Sequence, residues 1–461
     1  MRASTCSDKI ARFILNLSYG DLPSDVVDKA KFAILDLIGV AIAGSNTAWS
    51  RIISNFVKNS NGEAEARVFR YGFETTSPLA ALANGTMGHS WDYDDSHPAQ
   101  MHLGAVIVPA AISIGEKMRA NGRELITAVV AGYEVGARVA LAVNSPPKKG
   151  HTLKGFHPTA TCGVFGSAAA ASKVMGLSLE QIVNALGIAG SYSSGLMEFL
   201  SDGAMTKRLH PGKAAHDGIV SALLAAQGFT GPRTVFEGRD GFLRAYSDAP
   251  DVERLTSRLG EDFEIRYVDF KMYPCCWGCH SPLNALQAVL SNNDIKVSSI
   301  QKVVFTLRSV SSRIVAEPLE AKRRPKTPLE AQMSLPFCAA VVMLYGGLTI
   351  QDFTEERLKD EQILTLTEKI EVLVDPQFDK EAHNSPSVVT VITENGKRYT
   401  QRVDYPKGSS QNPMTEKEIE EKFLKNVEGI LSEEKSNRVL SMVNRLEQLN
   451  DIKELTRLLI T

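Results

Sequence analysis

The chain is poor in cysteine, has no long uninterrupted apolar run and carries almost no net charge. Each shortage excludes a class of protein. Six cysteines in 461 residues are too few for a disulfide framework in a chain of this size. Three of them, Cys275, Cys276 and Cys279, crowd into five residues. The longest apolar stretch, 32–43, contains Asp36 and is too short to span a bilayer, so no membrane partner is expected. Net charge is −2 with acids and bases interspersed. Nucleic-acid binding needs a basic stripe, and there is none. The segment Met1 to Asp8 lacks the apolar core of an export signal, so a cytoplasmic protein is expected. What the chain does have is bulk: 461 residues, 43% of them hydrophobic, enough for two or three domains with a large core.

The first 265 residues read as helical and dense in Ala, Gly and Ser, with 166–171 (Gly-Ser-Ala-Ala-Ala-Ala) the extreme case. Small residues let helix axes approach closely, which predicts an interior bundle. Ser24-Asp25 caps a predicted helix running to Ala43, with Gly44 at the C′ position. Ser77-Pro78 reads as an N-cap and N1 proline before a helix toward Ser90. Further helices are predicted over 105–120, 125–143, 160–175 and 214–227, and Ser178 to Gln181 is a capping box. After Gly260 the pattern turns strand-like over 302–308 and 370–374. The segments 388–393 and 397–403 flank Glu394-Asn395-Gly396, where Asn-Gly predicts a type I′ hairpin turn. Helices are predicted between them, over 281–290 and 328–345. The chain is helical again from Thr415, with Leu440, Val443, Leu446 and Leu449 on one face. The expected fold is mainly α: a large all-helical bundle domain (1–265), an inserted smaller α+β lid domain (266–405), and C-terminal helices (406–461) returning to the bundle.

Chemistry concentrates in one stretch. His89, Asp92, Asp94, Asp95, His97 and His102 place three imidazoles and three carboxylates within fourteen residues, in a chain with nine histidines. Acids and imidazoles crowded together perturb each other's proton affinities, as acid–base chemistry or metal binding requires. The spacing matches neither His-Glu-x-x-His nor an EF-hand loop, so an acid–base site is favoured over a metal. A capped loop between helices is the plainer alternative. His157 precedes a Gly/Ala helix whose dipole would keep its imidazole neutral, as a base must be. Lys207, Arg208, His210 and Lys213 cluster just ahead of a predicted helix, where cations oppose the dipole unless an anion is bound. Lys322 to Lys326 forms a second basic knot; together the two point to a polyanionic substrate. Cys276-x-x-Cys279-His280 has c-type haem spacing but sits at a domain junction with no export signal, so buried thiols lining a pocket are the simpler reading.

Taken in order, these segments resemble the MmgE/PrpD superfamily. The resemblance runs from Asp36-Leu37-Ile38-Gly39 through His89-Ser90-x-Asp92-Tyr93-Asp94-Asp95 and Gly166 to Lys173. It continues with Lys207-x-Leu209-His210-x-Gly212, Phe270-Lys271-x-Tyr273-Pro274 and Glu330 to Phe337. It implies a homodimer that needs no metal or organic cofactor, with a site in a cleft between a helical domain and an α+β lid. The implied substrate is a small polycarboxylate. The implied chemistry is a lyase reaction, 2-methylcitrate-like dehydration or cis-aconitate-like decarboxylation, with epimerisation of an amino- or imino-dicarboxylate as the alternative. Carried over by position, Asp92, His102, His157 and Lys207 are the implied catalytic residues. Ser96, Lys271, Cys276 and His280 are implied to bind substrate. Cys276 stands where some decarboxylase-type members carry histidine.

Overall fold

The structure, a computed structural model, describes residues 4–144, 150–380 and 386–461. Met1 to Ala3, the start of the segment read for an export signal, lie outside them. The protein is mainly helical, with a smaller α+β part, and its apolar side chains gather into two main cores.

The larger core is built from helices Ser24–Gly44, Ser77–Gly88, Gly104–Met118, Gly122–Val143, Gly163–Val174, Leu179–Tyr192 and Thr206–Ala226. Their small residues permit backbone contact. A Cβ on Gly132 would stand 3.0 Å from the Gly166 carbonyl, and one on Gly166 would stand 2.7 Å from the Gly132 carbonyl. Any side chain at either position would push the two helices apart. Gly122–Val143 is long and apolar enough to cross a membrane, yet 94% of its apolar window is buried inside the protein; it is a central core helix.

Several helix ends differ from expectation. Gly44 lies inside its helix, with Ser45 as C-cap. Its glycine is required by packing: a Cβ there would stand 2.1 Å from the Met87 carbonyl. In helix Ser77–Gly88 the N-cap position is Thr76 and not Ser77, whose hydroxyl donates to Glu65 at 2.9 Å. The helix expected from Ala214 begins eight residues earlier, at Thr206, with Pro211 inside it. Proline is tolerated there because only one backbone donor is lost, close to the helix start. Residues 328–345 form two helices, Pro328–Gln332 and Leu335–Tyr345, because Ser334 caps the second with its own side chain.

The smaller core sits on a four-stranded sheet in the order Ile370–Val374, Ile300–Leu307, Ser387–Thr393, Arg398–Val403. The first pair is parallel and the other two antiparallel. Burial alternates along Ser387–Thr393, so one face packs against helices His280–Asn292 and Leu335–Tyr345. The hairpin forms as expected, but its turn is not type I′, which needs positive φ at both Asn395 and Gly396. Only Gly396 has it, at 80°. Asn395 Oδ1 instead accepts from Lys397 N at 3.1 Å and Thr393 Oγ1 at 2.7 Å.

Beyond the sheet the chain rejoins the larger core. Ile419, Phe423 and Val427 of helix Glu416–Val427 are buried in it. Lys422 of this helix makes a buried ion pair with Asp36 at 2.7 Å and donates to the Tyr93 carbonyl at 2.9 Å. The expected Leu440–Leu449 stripe crosses a break between helix Glu433–Asn444 and a short 3₁₀ turn, Leu446–Gln448.

Because Gly44 lets the helix carrying Met87 approach, Gly44→Ala is expected to destabilise the fold by about 1–3 kcal/mol. Gly347→Ala, where a Cβ meets nothing within 4 Å, should stay within about 0.5 kcal/mol of the wild type. Chemical denaturation of both variants checks the pair, and equal stabilities would contradict the packing role of Gly44.

Candidate active site

Helix Ser77–Gly88 ends at His89, and the chain then turns sharply through Asp92, a non-glycine residue in the left-handed region at φ 51°. Such a conformation costs about 1–2 kcal/mol and persists only when neighbours hold it. Three bonds do so. Asp92 Oδ1 accepts from Lys207 Nζ at 2.9 Å and from Lys271 Nζ at 2.8 Å, and its backbone carbonyl accepts from Lys271 Nζ at 2.7 Å. Lys207 comes from the first turn of helix Thr206–Ala226. Lys271 lies where the cores meet: Phe270 belongs to the larger and Tyr273 to the smaller. An antiparallel bridge between Ser96 and Asp269 fixes the approach of this segment. All three charged side chains are buried.

The hydrogen bonds assign the imidazole tautomers. A lysine ammonium can only donate, so His89 Nε2, 2.8 Å from Lys207 Nζ, accepts. His89 Nδ1 therefore carries the proton and donates to Asp94 at 2.8 Å. His102 Nδ1 donates to the Asp95 carbonyl at 2.7 Å, which leaves Nε2 as an unprotonated nitrogen 3.7 Å from Asp92 Oδ1. His157 and His210 share one hydrogen bond, Nδ1 to Nδ1, at 2.9 Å. The ring centroids of His89 and His102 are 4.7 Å apart, and the His157 ring is 6.4 Å from each.

Burial and the lysines set the charges. Burial pushes the His102 imidazole down to about 3, with Lys271 adding to the effect. Burial, then His210 and Lys207, holds His157 well below its usual range, and His89 follows the same logic with Lys207 as its chief charged neighbour. All three rings are neutral near pH 7. The neutrality of His157 was expected from a helix dipole; burial is the leading cause, since the helix it caps, Pro158–Thr161, is one turn long. Burial alone would raise the Asp92 carboxyl, but Lys207 and Lys271 overcome it and hold it well below the usual range. Burial brings Lys207 down to about 8. It also works to lower Lys271, but Asp92 and Asp94 outweigh it and hold that ammonium above the usual lysine range. Burial raises Asp95 to about 7.

Not every residue of the acidic–imidazole motif joins the group. His97 turns away: Nδ1 accepts from Ala99 N at 3.1 Å and Nε2 lies 3.2 Å from the Glu264 carbonyl. Asp95 faces the bundle, accepting from Gly104 N at 2.9 Å and Tyr133 OH at 2.6 Å, and acts on the group only through its carbonyl. Ser96 contributes its backbone bridge; among the described residues its hydroxyl makes no hydrogen bond to the group. Cys276 lies within electrostatic reach of Asp92 and Lys271. His280 is fully buried, its ring stacked on Trp277 with centroids 4.7 Å apart. The second basic knot is elsewhere: Arg323 pairs with Glu320 and Arg324 with Glu368.

Four groups, His89, Arg208, Gln332 and His210, escaped the sequence reading as members of the site. His89 was visible in the motif without a role. Arg208 donates to the Gln332 side chain across the two cores, and Gln332 Nε2 donates to the carbonyls of Trp91 at 2.7 Å and Pro274 at 3.2 Å. Lys207 and His210, three apart, share one helix face, a signal that Pro211 concealed by suggesting a loop.

Chemically this is a buried, positively biased cluster: Lys207, Lys271 and Arg208 against Asp92 and Asp94, beside neutral imidazoles. His89, Asp92, Asp94 and His102 offer ligand atoms within 4.8 Å of one another, but a metal ion there would have to expel both ammonium groups from Asp92. Two surface clefts, one beside Arg244 and Asp248 and the other beside Pro232 and Tyr246, include none of these residues.

Comparison with known proteins agrees across the whole chain. The MmgE/PrpD N-terminal domain matches residues 8–255 and the MmgE/PrpD C-terminal domain matches residues 273–448. The chain is 30% identical to the cis-aconitate decarboxylase of Homo sapiens over 480 residues, covering 100% of this chain and 95% of that protein. It is 28% identical to the cis-aconitate decarboxylase-like protein oryM of Aspergillus oryzae, covering 98% and 96%. With the 2-methylcitrate dehydratase of Salmonella typhimurium it shares 22% identity, covering 83% and 82%. With both domains matched in order, the chain belongs to the MmgE/PrpD family.

Proposed function

We propose that this protein is a lyase that decarboxylates a small tricarboxylate of the cis-aconitate type through a carbanion next to a carboxylate. The decarboxylases among its relatives align over nearly the whole chain at 27–30% identity. The dehydratases align over 83% at 22–23%. The observation that carries the reading is the buried pair of ammonium groups beside an unprotonated imidazole nitrogen.

In this reading the substrate's carboxylates meet Lys207, Lys271 and Arg208. A carbanion beside a carboxylate is too unstable to form quickly in water. Fixed cations in a dry site spread its charge without having to reorganise, and in many enzymes this lowers the barrier more than any other single effect. The carbanion left when carbon dioxide departs gains one proton. His102 Nε2, unprotonated at rest because the other nitrogen is committed to the Asp95 carbonyl, first takes that proton up from solvent and then hands it to the carbon. His157 serves the opposite side of the pocket, with His210 fixing its ring. Asp92 holds the two lysines in place. Cys276 and His280 line the site from the smaller domain, and Ser96 from the larger one. The buried site requires the smaller domain to lift for substrate to enter.

The neutral His102 and His157 rings, with centroids 6.4 Å apart, also suit two-base proton exchange on a dicarboxylate, an epimerase. Loss of carbon dioxide separates the two. Proton NMR in D₂O with cis-aconitate, 2-methylcitrate, citrate and aspartate-derived dicarboxylates should yield a decarboxylated alkene from cis-aconitate. Deuterium uptake without net product would favour the epimerase, and water loss from 2-methylcitrate the dehydratase.

His157→Ala and Lys207→Ala should each lower kcat/KM by about 10²–10⁴-fold with the fold retained by circular dichroism, and Lys207→Ala should also unfold at a lower temperature, because Asp92 keeps only one of its two ammonium partners. Near-normal rates in both would sink the assignment.

Lysine is cationic below its pKa and neutral above it. With Lys207 near 8, kcat/KM should fall as pH rises through about 8. In Lys207→Arg, whose guanidinium keeps its charge, that alkaline limb should move upward. A limb unmoved by the substitution would assign it to another group.

A further inference from the structure

Cys275, Cys279 and Cys338 are left unused by the proposed chemistry. All three are fully buried, in the smaller core. Cys275 and Cys279 flank the tight turn that ends at helix His280–Asn292, and the backbone of that turn closes through Cys279 N to the Cys276 carbonyl at 2.9 Å. Cys338 comes from the first turn of helix Leu335–Tyr345, some sixty residues later. Their three sulfurs lie within 4.8 Å of one another. Burial keeps each thiol well above its usual range, so without a metal the three are neutral.

We propose that Cys275, Cys279 and Cys338 form a three-thiolate site for one soft monovalent metal ion, Cu(I), in the core of the smaller domain. Metal–sulfur bonds of about 2.3 Å place three sulfurs roughly 4 Å apart around a single ion, a triangle that the observed spacing matches within small shifts. The donor set selects the metal. Thiolates favour soft ions, and structural zinc takes four ligands. Among the described residues no fourth His, Cys, Asp or Glu joins this set, whereas Cu(I) is satisfied by three sulfurs. Each Cu–S bond replaces an S–H bond and releases its proton to solvent, with no change of oxidation state.

The neighbours suit the charge that results. Three thiolates around Cu(I) carry two negative charges. Lys322, anchored on the Ile314 and Met333 carbonyls at 2.7 and 2.8 Å, lies within electrostatic reach of Cys279 and Cys338. Lys271 lies within reach of Cys275. The turn lies near the surface: Cys276, Trp277 and Gly278, between its two cysteines, are partly exposed. The site would also be coupled to the pocket, because Cys275 is four residues from Lys271 on one short segment.

The test is anaerobic titration of the full-length reduced protein with Cu(I) against bicinchoninate as competitor, with X-ray absorption at the copper edge. The expected result is one copper per chain with three sulfur ligands. Cys338→Ala and Cys279→Ala should each weaken retention by about 100-fold or more, and Cys6→Ala should not. Should the cluster variants fail to fold, the ligand count in the wild type decides alone. Copper lost entirely to the competitor, copper retained equally by Cys338→Ala, or a spectrum with fewer than three sulfurs would each overturn the site and leave three buried thiols as packing.

Discussion

One carboxylate oxygen receives ammonium groups delivered by two different parts of the chain. Asp92 Oδ1 is bonded by Lys207 from the helices of the larger core and by Lys271 from the segment that leads into the smaller core. Neither lysine could remain charged in so buried a place without that anion, and the anion could not remain ionised without them. Desolvating a lone charge costs several kcal/mol, so the three must assemble together. The left-handed turn at Asp92, the bridge between Ser96 and Asp269, and the junction of the two cores all follow from that requirement.

From this trio the electrostatics spread outward in order. Lys207 fixes the tautomer of His89, and His89 passes its other hydrogen bond to Asp94. Asp95 uses its side chain to start helix Gly104–Met118 and its carbonyl to orient His102. Lys422, from helix Glu416–Val427, holds the Tyr93 carbonyl in the same turn while paired with Asp36. The last sixty residues thus belong mechanically to the pocket, although they contribute no side chain to it.

Much of this was legible before folding. Alternation and small-residue density announced the helices and the hairpin, because burial follows side-chain periodicity. The motif around Asp92 announced chemistry through sheer crowding of titratable groups. The failures have physical causes. Pro211 reads as a breaker, yet near a helix start it removes only one donor, so the shared face of Lys207 and His210 stayed hidden. Gly44 reads as a terminator because glycine permits left-handed backbone; here its value is a missing Cβ against the Met87 carbonyl. Which imidazoles of the motif turn inward could not be read from its spacing; only the family resemblance singled out His102. His97 and His102 are five apart on an irregular segment, and only tertiary partners such as the Ala99 amide and the Asp95 carbonyl decide their directions. The link between Arg208 and Gln332 spans 124 positions and leaves no local trace.

The buried cluster contains its own counter-anion, so under the proposed function it would behave as an ion exchanger. A substrate carboxylate must compete with Asp92 for ammonium groups already satisfied. An acid with a single carboxylate merely swaps one anion for another and gains little. An acid with several could engage Lys207 and Lys271 while a further carboxylate reached the Arg208 guanidinium, one nitrogen of which, Nη1, is buried with no hydrogen-bond partner among the described residues. Under that function, discrimination by number of charges would follow from the arrangement of fixed charges, before any contact with the rest of the substrate is made.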